Sequence, residues 1–388
     1  MRVCYAVLHY DDRVAERDVA AYLARVPIHR ALPREMAALG YDVHVVHLYP
    51  TDARTMDGGV THHFVASGRI ARGAADIASR LRQRDPALYE PAFRAVEAVR
   101  ALQPDIVHVH GIGLNLNLFL LSHALGRTPP IVLHYHGGYP AASRVGRALQ
   151  RANVRRAARL LFTTHAHAQP FIAAGVLAGD ERVVAVMETS SDFAPAPRRE
   201  ARQRTGMAGQ PVFLWVGRLA PIKDPLTALA GFERILAAWP QAELYMHYLT
   251  DELLPQMRAF CEQRPGLRAH VHFRGVAPYE RMPDIYNSAD FLLQASRREF
   301  SGCAVLEAMS CGVIPVVTDI PSFRAMTDGG CHGALFPPGR PDALAEGALR
   351  ICPADIPTRS AAVREHFEAA LSFAAMARQL AALYESLA

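Results

Sequence analysis

At 388 residues, with 51% hydrophobic and 20% charged residues, the chain has the composition of a globular protein with sizeable cores rather than of a disordered one. Its apolar runs, such as LFLLSHALG and FLLQAS, fall short of the ~20 residues that cross a bilayer, and MRVCYAVLHYDDR is too brief an apolar start for a signal peptide, so a soluble cytoplasmic protein is expected. A net charge of +5 without basic patches interleaved with aromatics argues against a nucleic-acid partner, and six cysteines without a C-x-x-C pair favour reduced thiols over a disulfide framework or zinc site.

In chain order, RVCYAVLHY reads as a buried strand, ALPREMAALG as the end of a helix closed by Gly40, and DVHVVHLY as the next strand, together a βαβ unit. The helix PAFRAVEAVRAL and the strands DIVHVHG and PIVLHYHGG follow, then an arginine-rich helix and the strands RLLFTTH and RVVAVME. In SRVGRALQRANVRRAAR, Arg144, Arg147, Arg151, Arg155 and Arg159 recur at steps of three and four, one stripe of a helix. Two readings stay open for it: a solvated basic face, or a surface for anionic lipid or a lipid-linked acceptor. From Ser190 to Pro211 the periodicity stops in SSDFAPAPRREARQRTGMAGQP, which reads as a linker. A second series then runs through VFLWVGRL, DPLTALAGFERILAAW, AELYMHYL, LRAHVHFRGV, ADFLLQAS, AVLEAMSCG and VIPVVTD. Near-continuous apolar strands separated by helices predict parallel sheets covered on both faces. Two doubly wound α/β domains are therefore expected, with ligands outside the carboxyl ends of the strands.

One residue stands out by rarity. Of 42 Lys plus Arg, Lys223 in VGRLAPIKDP is the only lysine. The strand VFLWVGRL ends in Gly217 and Arg218, and Lys223 follows just before a helix starting at Asp224 or Pro225. The stretch REFSGCAVLEAMSCG passes through Ser301 and Gly302 into a second helix at the same rim. Two cations and a helix N-terminus converging there suit a diphosphate. Separately, His108 and His110, His134 and His136, and His165 and His167 form three His-x-His pairs, each on one strand face, which leaves a His-ligated zinc hydrolase as a remote alternative.

In order and spacing these pieces resemble the retaining glycosyltransferases of family 4, the group 1 glycosyl transferases of the GT-B fold. VGRLAPIKDPLTALAGF is similar to the family's Gly-Arg-Leu and Lys-Asp segment. FRGVAPYERMPDIYNSADFLLQAS is similar to its Gly-x-Val and Tyr-Asn-Ala-Asp segment, and EFSGCAVLEAMSCGVIPVV to its Glu-x7-Glu segment. The resemblance implies two Rossmann-like domains facing each other across a cleft: residues 1–195 on the acceptor side, a linker at 196–210, a donor domain at 211–365, and a closing helix at 366–388 returning to the first domain. It also implies site roles. Gly217, Arg218 and Lys223 meet the donor diphosphate, as do backbone N–H groups of Ser301, Gly302 and Cys303. Glu299 holds donor-sugar hydroxyls, Glu307 the ribose, Gly275 and Val276 the base, and His136 lies near the sugar, with Glu299, His136, Lys223 and Arg218 as the catalytic set.

The implied reaction moves a sugar from a UDP- or GDP-linked donor to an acceptor hydroxyl with retention, in glycan, glycolipid or surface polysaccharide synthesis. No Asp-x-Asp occurs in the chain, so neither a metal nor a cofactor beyond the nucleotide sugar is expected. A nucleotide-sugar 2-epimerase and a non-catalytic nucleotide-sugar binding module share the fold and remain alternatives. Three stretches depart from the family pattern. HYDDRV stands where a glycine pair is common, METSSDF where Asn-Gly-Val-Asp is usual, and Phe300 and Ser301 where Gly and Phe are commoner. The first two put the acceptor in question more than the donor chemistry.

Overall fold

The computed structural model describes residues 1–9, 18–68, 91–113 and 115–388; HYDDRV, from Tyr10 on, lies outside the described residues. The chain divides into two compact units, Met1–Thr189 with Phe373–Ala388, and Ser190–Ser372.

Among the described residues, the first unit holds an eight-stranded sheet of β1 (Arg2–Val7), β2 (Asp42–Tyr49), β3 (Ala53–Asp57), β4 (Val60–Ala66), β5 (Ile106–His110), β6 (Ile131–His134), β7 (Ala157–Phe162) and β8 (Val183–Ala185). Its order is β3-β4-β2-β1-β5-β6-β7-β8. The expectation of purely parallel pairing fails at one edge, where β3 runs antiparallel to β4. The cause is local: Asp57 pairs with Val60 across Gly58 and Gly59, at φ +57 and +81, and two successive positive φ values make the tight hairpin turn that glycine favours. The core packs β1, β2 and β5 against the helix Pro27–Ala38 and the closing helix Phe373–Glu385. That last helix places Phe373, Met376, Leu380 and Tyr384 in the same cluster as Val3, Tyr5, Leu32 and Val43. Full burial of Leu380 contributes about 2 kcal/mol.

The second unit is a six-stranded, all-parallel sheet of β9 (Val212–Gly217), β10 (Glu243–Tyr248), β11 (Val271–Gly275), β12 (Phe291–Gln294), β13 (Ile314–Thr318) and β14 (Ala334–Phe336). Its order is β11-β10-β9-β12-β13-β14. Phe213 on β9 stacks on Phe291 on β12, 4.9 Å between ring centres, and Phe232 and Trp239 cover the pair. The chain winds one way from β9 to β11 and the other way from β12 to β14. The neighbours β9 and β12 therefore flank the switch point, and loops leaving their carboxyl ends are brought together.

Three expectations need correction. Residues 196–210 are not a bare linker: Arg198–Thr205 forms a helix within the second unit, because Arg198 and Arg202 reach the buried carboxylate of Asp290 at 3.2 and 2.7 Å. The charges that read as linker are the side of that helix which docks. The stretch returning to the first unit starts at Phe373 rather than at 366, after a π-helical turn at Phe367–Leu371. Finally, the arginine helix ends at Arg156, so Arg159 sits on β7 and leaves the stripe. Arg147 donates to the carbonyls of Ala141 and Ala142, and Arg151 to that of Gly175, so part of the stripe ties down its own surroundings.

Candidate functional site

In the second unit, β9 ends at Gly217 and the exposed Arg218 follows at the mouth of the sheet. A short 3-10 turn, Pro221–Lys223, then leads to Asp224 in the left-handed region (φ +44). Asp224 caps the helix Pro225–Ala238, with its carboxylate facing the N–H of Thr227 and accepting from Nε of Arg297 at 3.1 Å. The backbone N–H of Arg297 also donates to the Ile222 carbonyl at 2.9 Å. The loop after β12 is thus fastened to the loop after β9. That fastening brings Lys223 Nζ into a close ion pair with Glu299 Oε1, on which Ser296 Oγ also donates at 2.8 Å. Ser322 Oγ holds the Glu299 carbonyl at 3.2 Å. The only lysine of the chain and the first glutamate of the Glu-x7-Glu segment therefore meet, 76 positions apart in sequence.

Gly302 introduces the helix Cys303–Ser310 at φ +55, and a Cβ there would come within 2.8 Å of the Phe323 ring. No other residue fits that turn without displacing the ring. The first turn of this helix directs backbone N–H groups outward at the same rim, where its dipole favours an anion. Five positions into the helix's sequence, Glu307 is partly buried, and Tyr286 OH donates to its Oε2 at 2.6 Å. Burial raises the Glu307 carboxyl to about 7, with the Tyr286 hydrogen bond lowering it and Asp192 raising it. Gly275 closes β11 at φ +68, and Val276 beside it is exposed.

Three side chains of the Tyr-Asn-Ala-Asp segment have structural duties that the motif alone did not disclose. Tyr286 holds Glu307. Asn287 bonds the backbone of Ala194 and Ala196, and Asp290 takes the two arginines and the N–H of Val212. Buried polar groups in an apolar series were the available signal, since each needs a partner.

In the first unit, His136 follows β6 and leads to Gly137 and Gly138 at φ +85 and +102. Its Nε2 lies 2.7 Å from Nδ1 of His110, and its Nδ1 lies 4.0 Å from Oε1 of Glu188. His108, His110 and His134 bring one ring nitrogen each within 4.8 Å of one another, all three buried. They bond among themselves and to neighbours: His108 Nε2 with His134 Nδ1 at 3.2 Å, and His108 Nδ1 closely with Tyr384 OH. Burial pushes His134 down to about 4 and His108, His110 and His136 well below the usual imidazole range. The third pair departs from its expected strand: His165 opens the helix His165–Ala173 beside Asp180, and His167 bonds Thr164. Two of the pairs, His108 with His110 and His134 with His136, meet in one buried cluster, while the third lies apart on the helix His165–Ala173.

Two doubly wound units, the second with cations and a helix N-terminus at its switch point, define the GT-B class. The family "Glycosyl transferases group 1" matches residues 210–353, and "Glycosyl transferase 4-like domain" matches residues 28–187. The chain belongs to the family 4, group 1 glycosyltransferases of the GT-B fold. It is similar to a 2-deoxystreptamine N-acetyl-D-glucosaminyltransferase of Streptomyces fradiae, 29% identical over 64% of this chain and 63% of that protein. It is also similar to a GDP-mannose:cellobiosyl-diphosphopolyprenol alpha-mannosyltransferase of Xanthomonas oryzae pv. oryzae, 26% identical over 69% of each. Among solved structures, sucrose-phosphate synthase from Thermosynechococcus elongatus matches with TM-score 0.70 at 19% identity, over 100% of this chain and 98% of that one. Anabaena HepE in complex with UDP and glucose matches with TM-score 0.67 at 16% identity, over the whole of both chains.

Proposed function

We propose that this chain is a retaining hexosyltransferase that moves a sugar from a UDP- or GDP-linked donor to an acceptor hydroxyl without a divalent metal. The observation that carries the reading is the meeting of Lys223, Glu299 and the N-terminus of the helix Cys303–Ser310 at the switch point of the second sheet. Cations and helix-terminal N–H groups there stabilise charge as it develops on the departing diphosphate, and such fixed electrostatics is commonly the largest catalytic contribution. In a front-face mechanism the C1–O bond to the diphosphate breaks while the acceptor oxygen bonds the same face of C1. The departing phosphate oxygen takes the acceptor's proton, so charge and atoms balance without a separate base. Glu299 would orient sugar hydroxyls, and Glu307, held by Tyr286, the ribose.

The relatives' names include both an N-acetylglucosaminyltransferase and a GDP-mannose enzyme, so a donor panel needs both bases. At ~100 times its dissociation constant a donor stabilises the chain by ~2.7 kcal/mol, readable by thermal shift. With the donor so found, nucleotide release that depends on added acceptor separates a transferase from a 2-epimerase or a silent binding module. Turnover is expected to persist in EDTA; activity abolished by EDTA and restored by manganese would overturn the metal-free reading.

A cytoplasmic, peripheral placement at an anionic membrane belongs to the same proposal. No described helix is long and apolar enough to cross a membrane. Leu116, Phe119, Tyr139 and Val145 are exposed near the starts of the helices Asn115–Leu125 and Arg144–Arg156, beside the arginine stripe. Vesicles containing phosphatidylglycerol are expected to retain the protein at low salt and release it at high salt. Equal retention after Arg144→Gln with Arg155→Gln and Val145→Ser would remove this surface.

A further inference from the structure

A cavity of about 420 Å³ opens beside the amino ends of β6 and β7, at the opposite end of β6 from His136. Arg127, Arg155 and Arg156 line it, and Gly126, Pro129 and Ile131 complete the described lining, so no carboxylate is among these residues. Arginines elsewhere, such as Arg94, Arg202 and Arg324, sit on aspartates. These three pair with no carboxylate among the described residues; Arg156 Nη2 donates instead to the Gly126 carbonyl at 3.3 Å. Arg155 and Arg156 are neighbours on the last turn of their helix, where successive side chains diverge by about 100°, and Arg127 comes from a separate loop, so the cavity is approached from different directions.

We propose that Arg127, Arg155 and Arg156 form a binding site for the phosphate or diphosphate group of a ligand, separate from the donor rim of the second unit. Three like charges around one cavity repel one another until an anion enters, and guanidinium forks match phosphate oxygens two at a time. One effect opposes this. The helices Asn115–Leu125 and Arg144–Arg156 both end here, and a helix C-terminus carries roughly −0.5 of a charge, so together they offset about one of the three cations. Part of that opposition is already met, since Arg182 Nη1 donates to the carbonyls of Val154 and Ala157 at 3.0 and 2.6 Å. The balance stays positive. The volume also falls within the ~300–1,000 Å³ typical of small-molecule sites, which leaves room beside the phosphate for the group that carries it. Two sources share this chemistry: a soluble phosphorylated metabolite and the headgroup of an anionic phospholipid.

Inorganic pyrophosphate is the probe, titrated calorimetrically into the full chain carrying Lys223→Ala, which weakens any binding at the donor rim. In that background Arg127→Gln with Arg156→Gln is expected to loosen pyrophosphate by about tenfold or more at an unchanged melting temperature, and Arg127→Lys with Arg156→Lys to lose less. Arg144→Gln removes the same kind of charge about 18 Å back along the helix and should leave the affinity unchanged. A crystal soaked in tungstate should show the oxyanion against Arg127, Arg155 and Arg156. No binding in the parent, undiminished binding in the Gln pair, an equal loss in Arg144→Gln, or tungstate seated only elsewhere overturns the proposal. Vesicles containing phosphatidylglycerol distinguish the two sources. Earlier release of the Gln pair as salt rises marks a lipid headgroup, and unchanged retention beside the calorimetric loss marks a soluble ligand. Nucleotide release from UDP-glucose or GDP-mannose is scored separately, and its failure counts against the transferase reading alone.

Discussion

Lys223→Arg is expected to fold normally and yet lose most of the activity lost in Lys223→Ala, on the order of 100-fold in kcat, or about 2.7 kcal/mol of transition-state stabilisation. The lysine is not generic. Its Nζ pairs closely with Glu299 Oε1 in a spot where the two side chains are only 18% and 12% exposed, and Ser296 shares the same carboxylate oxygen. An ammonium is a compact charge that can keep Glu299 and still turn its remaining donors toward phosphate oxygens, whereas a planar guanidinium needs a broad, fork-shaped approach. In a chain that writes every other permanent cation as arginine, the exception falls where size is restricted. Its backbone adds a second constraint. Lys223 closes the 3-10 turn just before the left-handed Asp224, whose cap and Arg297 contact hold the two loops together, so the side chain starts from a fixed origin. Steady-state kcat and KM of both variants, alongside melting temperatures, decide the matter. A kcat near wild type in the arginine variant would show that any cation suffices, and the lone lysine would be an accident of composition.

The second unit was more legible in the sequence than the first because its signals are local. Gly217, Arg218, Lys223, Glu299, Gly302 and Glu307 lie on two short stretches, and the alternation of apolar strands and helices placed both at strand ends. What pattern alone cannot supply is the partner across the fold. That Glu299 meets Lys223, and that Tyr286 rather than solvent meets Glu307, depends on the β9–β12 neighbourhood, a property of strand order. The docking of Arg198–Thr205 was missed for a related reason: seven polar residues around the single Ala201 have no apolar periodicity, and their places are set by partners distant in sequence, Asp290, Asp284 and Ser288. In the first unit, HVH and HYH read as two separate His-x-His pairs, each on one strand face. Parallel pairing sets His110 opposite His134, and that register turns separate motifs into one buried array of imidazoles.

That array makes the first unit acid-labile, and the loss is expected to fall between about pH 6.5 and 5. Burial lowers His29 to about 3, His62 and His134 to about 4, and His47, His108, His110 and His136 well below the usual range. A histidine with a lowered folded value is neutral in the native state and takes up its proton only on unfolding. Its contribution is therefore intact above the unfolded value of 6.5 and is lost progressively as pH falls toward the folded value. At pH 5 each such group costs about 2 kcal/mol, so several together match the 5 to 15 kcal/mol that typically holds a domain folded. Other titrations do not cancel this. Asp42, Asp52 and Asp57 have lowered values, so their stabilisation is lost only as pH falls below about 3.8. Glu307, raised to about 7, works in the opposite sense and gains stability on acidification, but it is one group, in the second unit. Calorimetric melts from pH 7.5 to 5 should therefore show the first unit's transition falling steeply while unfolding takes up several protons. His134→Asn should flatten the slope by close to one proton if the variant stays folded at pH 7.5. A transition temperature unchanged down to pH 5 would mean that these imidazoles are protonated in the native state, and the hydrogen-bonded neutral pairs His108–His134 and His110–His136 would then have to be abandoned.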